Sequence, residues 1–274
     1  NRITVETIDV MRQNERAAEL VERFGVDPGQ RNALIVVSGD HYHRVEPSLL
    51  YDMTEDGRNL FKGERALTSA ILQVTEDTQP VAYFLTGHGE MRPDDVNPVR
   101  GMSQAASFLQ ERNWAVAPLT LGVRQGVPED ARLLVVAAPQ SELLPIEVSH
   151  LESYLENEGR MLIIAEPLRE HGMDDLLSDW GILTDDMIVI ETDPDSVQPG
   201  GDMLVSRFAE HPISDFLHRG GYRLLFGLTR PARVDPAAPP DENRTVTALM
   251  ASSPDLSWAE SRYRQPGDAR YNPE

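Results

Sequence analysis

The sequence predicts an α/β protein: a doubly wound, mostly parallel sheet preceded by a smaller α/β domain that is truncated at its start. Three observations carry this expectation. Short runs such as "VAYFL", "LLVVAAP" and "RMLIIAEP" are apolar at consecutive positions, as strands covered by helices on both faces must be. Segments with apolar residues at helical spacing alternate with those runs. Gly25, Pro80, Gly159 and Gly181 stand where one element should stop and the next begin.

In order along the chain, "RITVETI" (2–8) alternates polar and apolar residues as a strand does. Asn14 is placed to cap a helix whose Ala17, Leu20, Val21 and Phe24 share a face, with Gly25 closing it. "ALIVVSG" (33–39) is short and β-branched, and reads as a buried strand; "HYHRVEPSLLYD" reads as a second strand or an edge segment. "GERALTSAILQVTED" then carries Leu67, Ala70, Ile71 and Val74 at helical spacing. The segment "TEDTQP" has no apolar residue before Pro80, which sets the expected division: a small domain over 1–77, the larger domain over 78–262, and a polar tail over 263–274.

The larger domain opens with a strand at 81–86 and a polar loop, "GHGEMRPDDVNPVRG". A helix with Met102, Ala105, Ala106 and Leu109 on one face follows, then strands near 114–119 and at 131–139. A helix at 146–157 turns Val148, Leu151 and Leu155 inward. The buried strand "RMLIIAEP" leads to a helix with Met173, Leu176, Leu177 and Trp180 on one stripe. Beyond Gly181, "DMIVIE", "MLVSRF", "YRLLFGL" and "TVTALMAS" are strand-like with few helices between them. They are expected to extend the same sheet, partly antiparallel.

Composition narrows the function classes. Twenty-five Lys and Arg face 45 Asp and Glu, and the net charge of -20 repels phosphate backbones, so nucleic acid is not an expected partner. With no cysteine there is neither a disulfide, nor a thiolate metal site, nor a cysteine nucleophile. No run of 18 apolar residues occurs, and the first residue is Asn1, so the chain is read as a fragment whose membrane attachment, if any, lies in segments not included. There is no G-x-S-x-G elbow and no P-loop. "TGHGEMR" offers a glycine pair after a strand, yet Arg92 stands where a dinucleotide loop needs its third glycine, and no cofactor is expected.

In an open parallel sheet, ligands bind beyond the carboxyl ends of the strands. Three such ends are unusual here: Gly87-His88-Gly89-Glu90, Ala138-Pro139-Gln140 and Ala165-Glu166-Pro167. The candidate ligand-binding residues are therefore Gly87, His88, Gly89, Glu90, Pro139 and Glu166. No catalytic residue is assigned. Against this stands the plainer reading in which the two glycines make a tight turn and the charged residues face solvent. His41 and His43, two apart on a strand, form half of a zinc or nickel site that lacks a third ligand, and no metal is assigned.

Taken together, "FKGERALTSAILQVTEDTQPVAYFLTGHGE", "LLVVAAPQSELLPIEVSHLESYLENEGRMLIIAEP", "HPISDFL" and "TALMASSPDLSWAE" resemble the gliding-motility GldG-like auxiliary proteins of uncharacterised ABC transport systems. The resemblance covers most of residues 60–260. It implies an extracytoplasmic (periplasmic) domain, membrane-tethered in the full-length protein, working with an ABC-2-type permease and a separate ATPase. It further implies a class I glutamine amidotransferase-like, flavodoxin-like large domain. Where catalytic members of that fold place a cysteine, this chain has Ala165-Glu166-Pro167, so the expected role is non-catalytic binding or scaffolding, engaging a protein partner, or a saccharide or peptide, at the loop edge around His88 and Glu90. The alternative is a hydrolase, metal-dependent or not, using His88, Glu90 and Glu166.

Overall fold

A computed structural model describes residues 3–9, 12–25, 34–53, 59–61, 63–75, 78–122, 125–237 and 244–261. The chain divides into two compact units: residues 1–82 with 104–116, and residues 83–103 with 117–274. Residues 3–8 of the expected strand at 2–8 have no strand geometry: Ile3 and Val5 are 74% and 85% exposed, and alternation without a pairing partner does not make a strand.

In the first unit, helix α1 (Asn14–Phe24) begins after Gln13, so Asn14 lies inside the helix instead of capping it. Gln13 Oε1 accepts the Asp9 backbone N–H at 2.9 Å. Gly25 ends the helix in the left-handed conformation at φ 61°. Strands β1 (Leu34–Ser38) and β2 (His41–Val45) form an antiparallel hairpin. The expected edge segment after β2 breaks at Pro47 into a short 3₁₀ turn, and the chain then forms a hairpin of β3 (Tyr51–Met53) and β4 (Asn59–Phe61). Helix α2 (Gly63–Thr75) packs on β1 and β2, burying Ala70 and Val74 as its periodicity requires.

Four strands form one parallel sheet: β5 (Val81–Leu85), β6 (Ala115–Leu119), β7 (Ala131–Ala137) and β8 (Met161–Ile164), in the order β6-β5-β7-β8. The helix α3 (Ser103–Gln110) lies between β5 and β6 in the chain. β7 is central, and Leu134 through Ala138 are at most 1% exposed, which explains why its sequence shows no alternation. β8 is an edge strand, and there the expectation of full burial fails: Leu162 is 47% exposed. Helix α4 (Pro145–Glu156) starts with proline at its first position, where the missing N–H costs nothing. Leu151 of α4 joins Leu85, Leu134, Val136, Leu143 and Met173 in the main core. Helix α5 (Asp174–Asp179) adds Leu176 and Leu177 to it.

Beyond Gly181 the strands do not extend this sheet. β9 (Ile182–Leu183), β10 (Ile188–Glu191), β11 (Met203–Val205), β12 (Arg207–Phe208), β13 (Leu224–Phe226), β14 (Arg233–Val234), β15 (Met250–Ala251) and β16 (Ser257–Glu260) form separate two-stranded antiparallel ladders. β10 pairs with β16, β11 with β13, β12 with β15, and β9 with β14. Each is two to four residues long and pairs with a single partner. A short helix, α6 (Asp215–Gly220), precedes β13. The observed architecture is thus mixed α/β around a four-stranded parallel sheet, and the tail 263–274 lies outside the described residues.

Candidate functional site

β5 ends at Leu85, and the next six residues are stitched to its neighbours at both ends. The Thr86 N–H donates to the Leu119 carbonyl at 2.8 Å, and the Met91 N–H to the Ala137 carbonyl at 2.8 Å. Between them the backbone must fold back, with φ 134° at Gly87 and 77° at Gly89, values that glycine alone reaches without strain. The turn leaves the His88 carbonyl free to accept two donors from the end of β7, Gln140 N–H at 2.7 Å and Ser141 N–H at 3.3 Å. The two glycines therefore do make a tight turn, but its polar residues do not face water.

Glu90 is buried, its side chain 1% exposed. Its Oε2 accepts the His88 backbone N–H at 2.8 Å, and its Oε1 lies 3.4 Å from His88 Nδ1. Neither Oε1 nor Nδ1 has a hydrogen-bond partner. On the opposite edge of the imidazole, Nε2 lies 3.1 Å from Oε2 of Glu147. Glu147 is the third residue of α4 and accepts the Leu144 backbone N–H at 2.8 Å, the carboxylate half of a capping box. A negative side chain in the first turn also matches the positive end of the helix. His88 is thereby held between two buried carboxylates, one from its own turn and one from a helix almost sixty residues further on.

Sequence reasoning missed Glu147. The signal was present: "LPIE" puts Pro145 at the first helical position and a glutamate three residues after the cap. What periodicity could not supply is that this helix terminus lands beside His88.

The third strand end belongs to the same constellation through Gln140. Its side-chain amide donates to Glu166 Oε2 at 2.9 Å and to the Ala138 carbonyl at 2.9 Å, while its backbone N–H holds His88. Ala138 takes a left-handed φ of 51°, unusual for a residue with a Cβ, which turns its carbonyl toward these donors. Pro139 is wholly buried beneath. Arg100 Nη1 reaches both oxygens of Glu166, at 2.7 and 2.9 Å. Arg100 is in turn positioned by Asn97, whose side-chain oxygen accepts the Val99 and Arg100 N–H groups. The structure thus brings Gly87, His88, Gly89, Glu90, Pro139 and Glu166 to one edge of the sheet, and adds Arg100, Gln140 and Glu147.

Burial acts to raise the Glu166 carboxyl, but the hydrogen bonds from Arg100 and Gln140 outweigh it and hold the group below the usual carboxylate range. A depressed value means stability that is present above that range and is lost as acid protonates the group. Glu166→Gln is therefore expected to be less stable than wild type at neutral pH. The difference should shrink as pH falls below about 4.5. Chemical denaturation at a series of pH values measures it, and a pH-independent difference would contradict the ion pair.

Chemically, the edge offers one imidazole, three carboxylates and one guanidinium, arranged to tie a loop to the sheet. Both oxygens of Glu166 accept hydrogen bonds, Oε1 from Arg100 and Oε2 from Arg100 and Gln140. His41 and His43 belong to the first unit, where they pair with Ser38 and Val36 across the β1–β2 ladder. Among the described residues, no group of three or more His, Cys, Asp or Glu is placed to hold a metal ion. Among the same residues, no helix is long and apolar enough to cross a membrane.

Residues 79–274 match the family model described as an ABC-type uncharacterized transport system, a transport-auxiliary family. A search of curated proteins finds no match. Among solved structures, one titled "mmIFT52 N-terminal domain" is similar, with a TM-score of 0.49 and 16% identity, covering 65% of this chain and 74% of that one.

Proposed function

Since the chain belongs to this family of ABC-type transport auxiliaries, we propose that it is a non-catalytic binding or scaffolding domain of a transport complex. In this reading it stands outside the cytoplasm, tethered in the full-length protein, and works beside an ABC-2-type permease and a separate ATPase. Its nearer kin are the GldG-like proteins, and its large unit is a doubly wound amidotransferase-like domain that has lost its nucleophile. The observation that carries the reading is the occupied state of the sheet edge. Glu166, standing where an attacking side chain would be required, is instead held by Arg100 and Gln140, and His88 is wedged between Glu90 and Glu147. Such an edge is a rigid surface of fixed shape, suited to recognising a protein partner, or a saccharide or peptide, without turning it over.

Co-purification of the full-length protein from membranes tests this. The permease is expected to accompany the wild type, with recovery reduced several-fold by His88→Ala and by Arg100→Ala. Unchanged recovery in both variants removes this edge from the interaction. Turnover of an ester, amide or glycoside by the purified chain, with a bell-shaped pH profile lost in Glu90→Gln, would install the hydrolase reading in its place.

A further inference from the structure

The outer edge of β13 stands apart from the His88 edge and bears on a question independent of the reading above. In the β11–β13 ladder Met203 lies opposite Phe226, Leu204 opposite Leu225 and Val205 opposite Leu224. The Leu204 N–H donates to the Ser196 carbonyl at 2.8 Å, on the side of β11 that faces away from β13. Opposite residues of an antiparallel pair alternate between those that exchange hydrogen bonds and those whose backbone groups point outward. Leu204 and Leu225 are therefore an outward pair, and Leu225 turns its N–H and its carbonyl to the free edge of β13. Among the described residues neither group has a hydrogen-bond partner. An open strand edge is a template for pairing with another chain, and β13 lacks the usual protections: "LLFGL" (224–228) contains neither a charge nor a proline.

The stretch that carries this edge is apolar at its surface. Leu225 is 59% exposed and Phe216 of α6 is 69% exposed, and Ile213, Tyr222 and Leu228 are at least half exposed. Phe216 and Tyr222 stack, with ring centroids 5.0 Å apart. The strand itself is firmly seated, because Leu224 and Phe226 pack against the core of Met203, Val205 and Phe208. Charge is as unusual here as exposure. The chain carries 45 Asp and Glu in 274 residues, about one in six, whereas residues 211–228 hold one acid, Asp215. Asp215 is bonded to Arg219 at 2.8 Å, which leaves Arg223 as the only further Asp, Glu, Lys or Arg of that stretch.

The geometry points to a second copy of this chain as the occupant, with the two β13 edges paired antiparallel about a two-fold axis at Leu225. Each Leu225 N–H donates to the Leu225 carbonyl of the other copy, and one four-stranded sheet, β11-β13-β13-β11, results. Such a match is self-complementary, as a two-fold interface must be. The register sets Arg223 opposite Gly227 of the second copy, so like charges do not stand opposite one another. Charge selects this occupant over others. Two chains of net charge -20 repel wherever their acidic surfaces meet, but across this nearly neutral stretch a like copy approaches without acid facing acid. A strongly acidic or strongly basic partner gains little from a face whose charges are one acid and two arginines.

Sedimentation equilibrium of the purified chain between about 1 µM and 1 mM, at about 0.15 M and about 1 M salt, tests this. Wild type is expected to double in mass as concentration rises. It should do so at lower concentration in the higher salt, because screening removes the repulsion between two acidic bodies and leaves the apolar and backbone contacts. Leu225→Lys alters an exposed side chain and adds no negative charge, yet it sets a lysine beside its own image across the axis, so association should weaken about tenfold or more. Val96→Lys, at an exposed valine outside this stretch, should associate as wild type does. Hydrogen exchange reads the edge itself: the Leu225 amide should slow in step with dimer formation. Wild type that stays a single chain throughout, as it would if the edge were reserved for an extended segment of another protein, overturns the proposal. So does a dimer that Leu225→Lys leaves intact, and so does a Leu225 amide whose exchange is unchanged by association.

Discussion

Gly89→Ala is expected to destabilise the parallel-sheet unit by about 2–3 kcal/mol, with two causes that can be separated. The backbone term comes from φ 77°, a conformation that costs an L-residue about 1–2 kcal/mol. The packing term comes from Gln140, since a Cβ at position 89 would stand 3.0 Å from its Cβ and 3.1 Å from its Cγ. Gln140 has little freedom to move. Its backbone N–H is given to His88, and its side-chain amide to Glu166 and Ala138. Displacing it therefore disturbs two strand ends at once. Gly201→Ala is the matching control: φ is 96° there, but nothing lies within 4 Å of the added methyl, so only the backbone term applies. Denaturation midpoints should show Gly89→Ala losing clearly more than Gly201→Ala. The extra loss should shrink in part when Gln140 is also truncated to alanine, which keeps the Cβ but removes the Cγ contact and frees the side-chain anchors. Equal losses in the two glycine variants would mean that Gln140 does not cover the turn.

How much of this could be read from the residues depends on where each signal is stored. β5 and β7 carry theirs locally, as consecutive apolar residues, and so they were legible, as was the grouping of their ends with that of β8, because parallel strands deliver their carboxyl ends to one edge. Arg100 and Glu147 were not legible as partners of that edge. Arg100 reaches Glu166 across 66 positions, and Glu147 reaches His88 through the placement of a helix terminus. The ladders after Gly181 failed for a related reason. β11 and β13 each look like strands, but the sequence does not say that they pair with one another and not with the large sheet. Asn14 was assigned to the cap on residue type alone, whereas the cap is Gln13, one position earlier, and Asn14 is the first helical residue. The alternation at 2–8 shows the converse error, a local pattern that no partner strand completes among the described residues.

Leu151→Ala is expected to cost about 3–4 kcal/mol, the largest loss of any single substitution considered. The side chain is fully buried on α4 and packs among Leu134, Val136, Leu143 and Met173, so its truncation removes apolar burial and leaves a void that a central parallel strand cannot move to fill. Leu162→Ala is the comparison: the same chemical change on an edge strand, at a side chain 47% exposed, should cost under about 1 kcal/mol. The void also bears on the site. Glu147 lies one turn before Leu151 on α4, on the same face, and both are buried. If the helix settles into the space, it carries the carboxylate relative to His88, whose other carboxylate, Glu90, stays with the turn. The His88 ring signals should therefore shift in Leu151→Ala and stay in place in Leu162→Ala. A Leu151→Ala variant that is destabilised without moving those signals would show that the imidazole is held by Glu90 alone, and that α4 contributes core but no part of the edge.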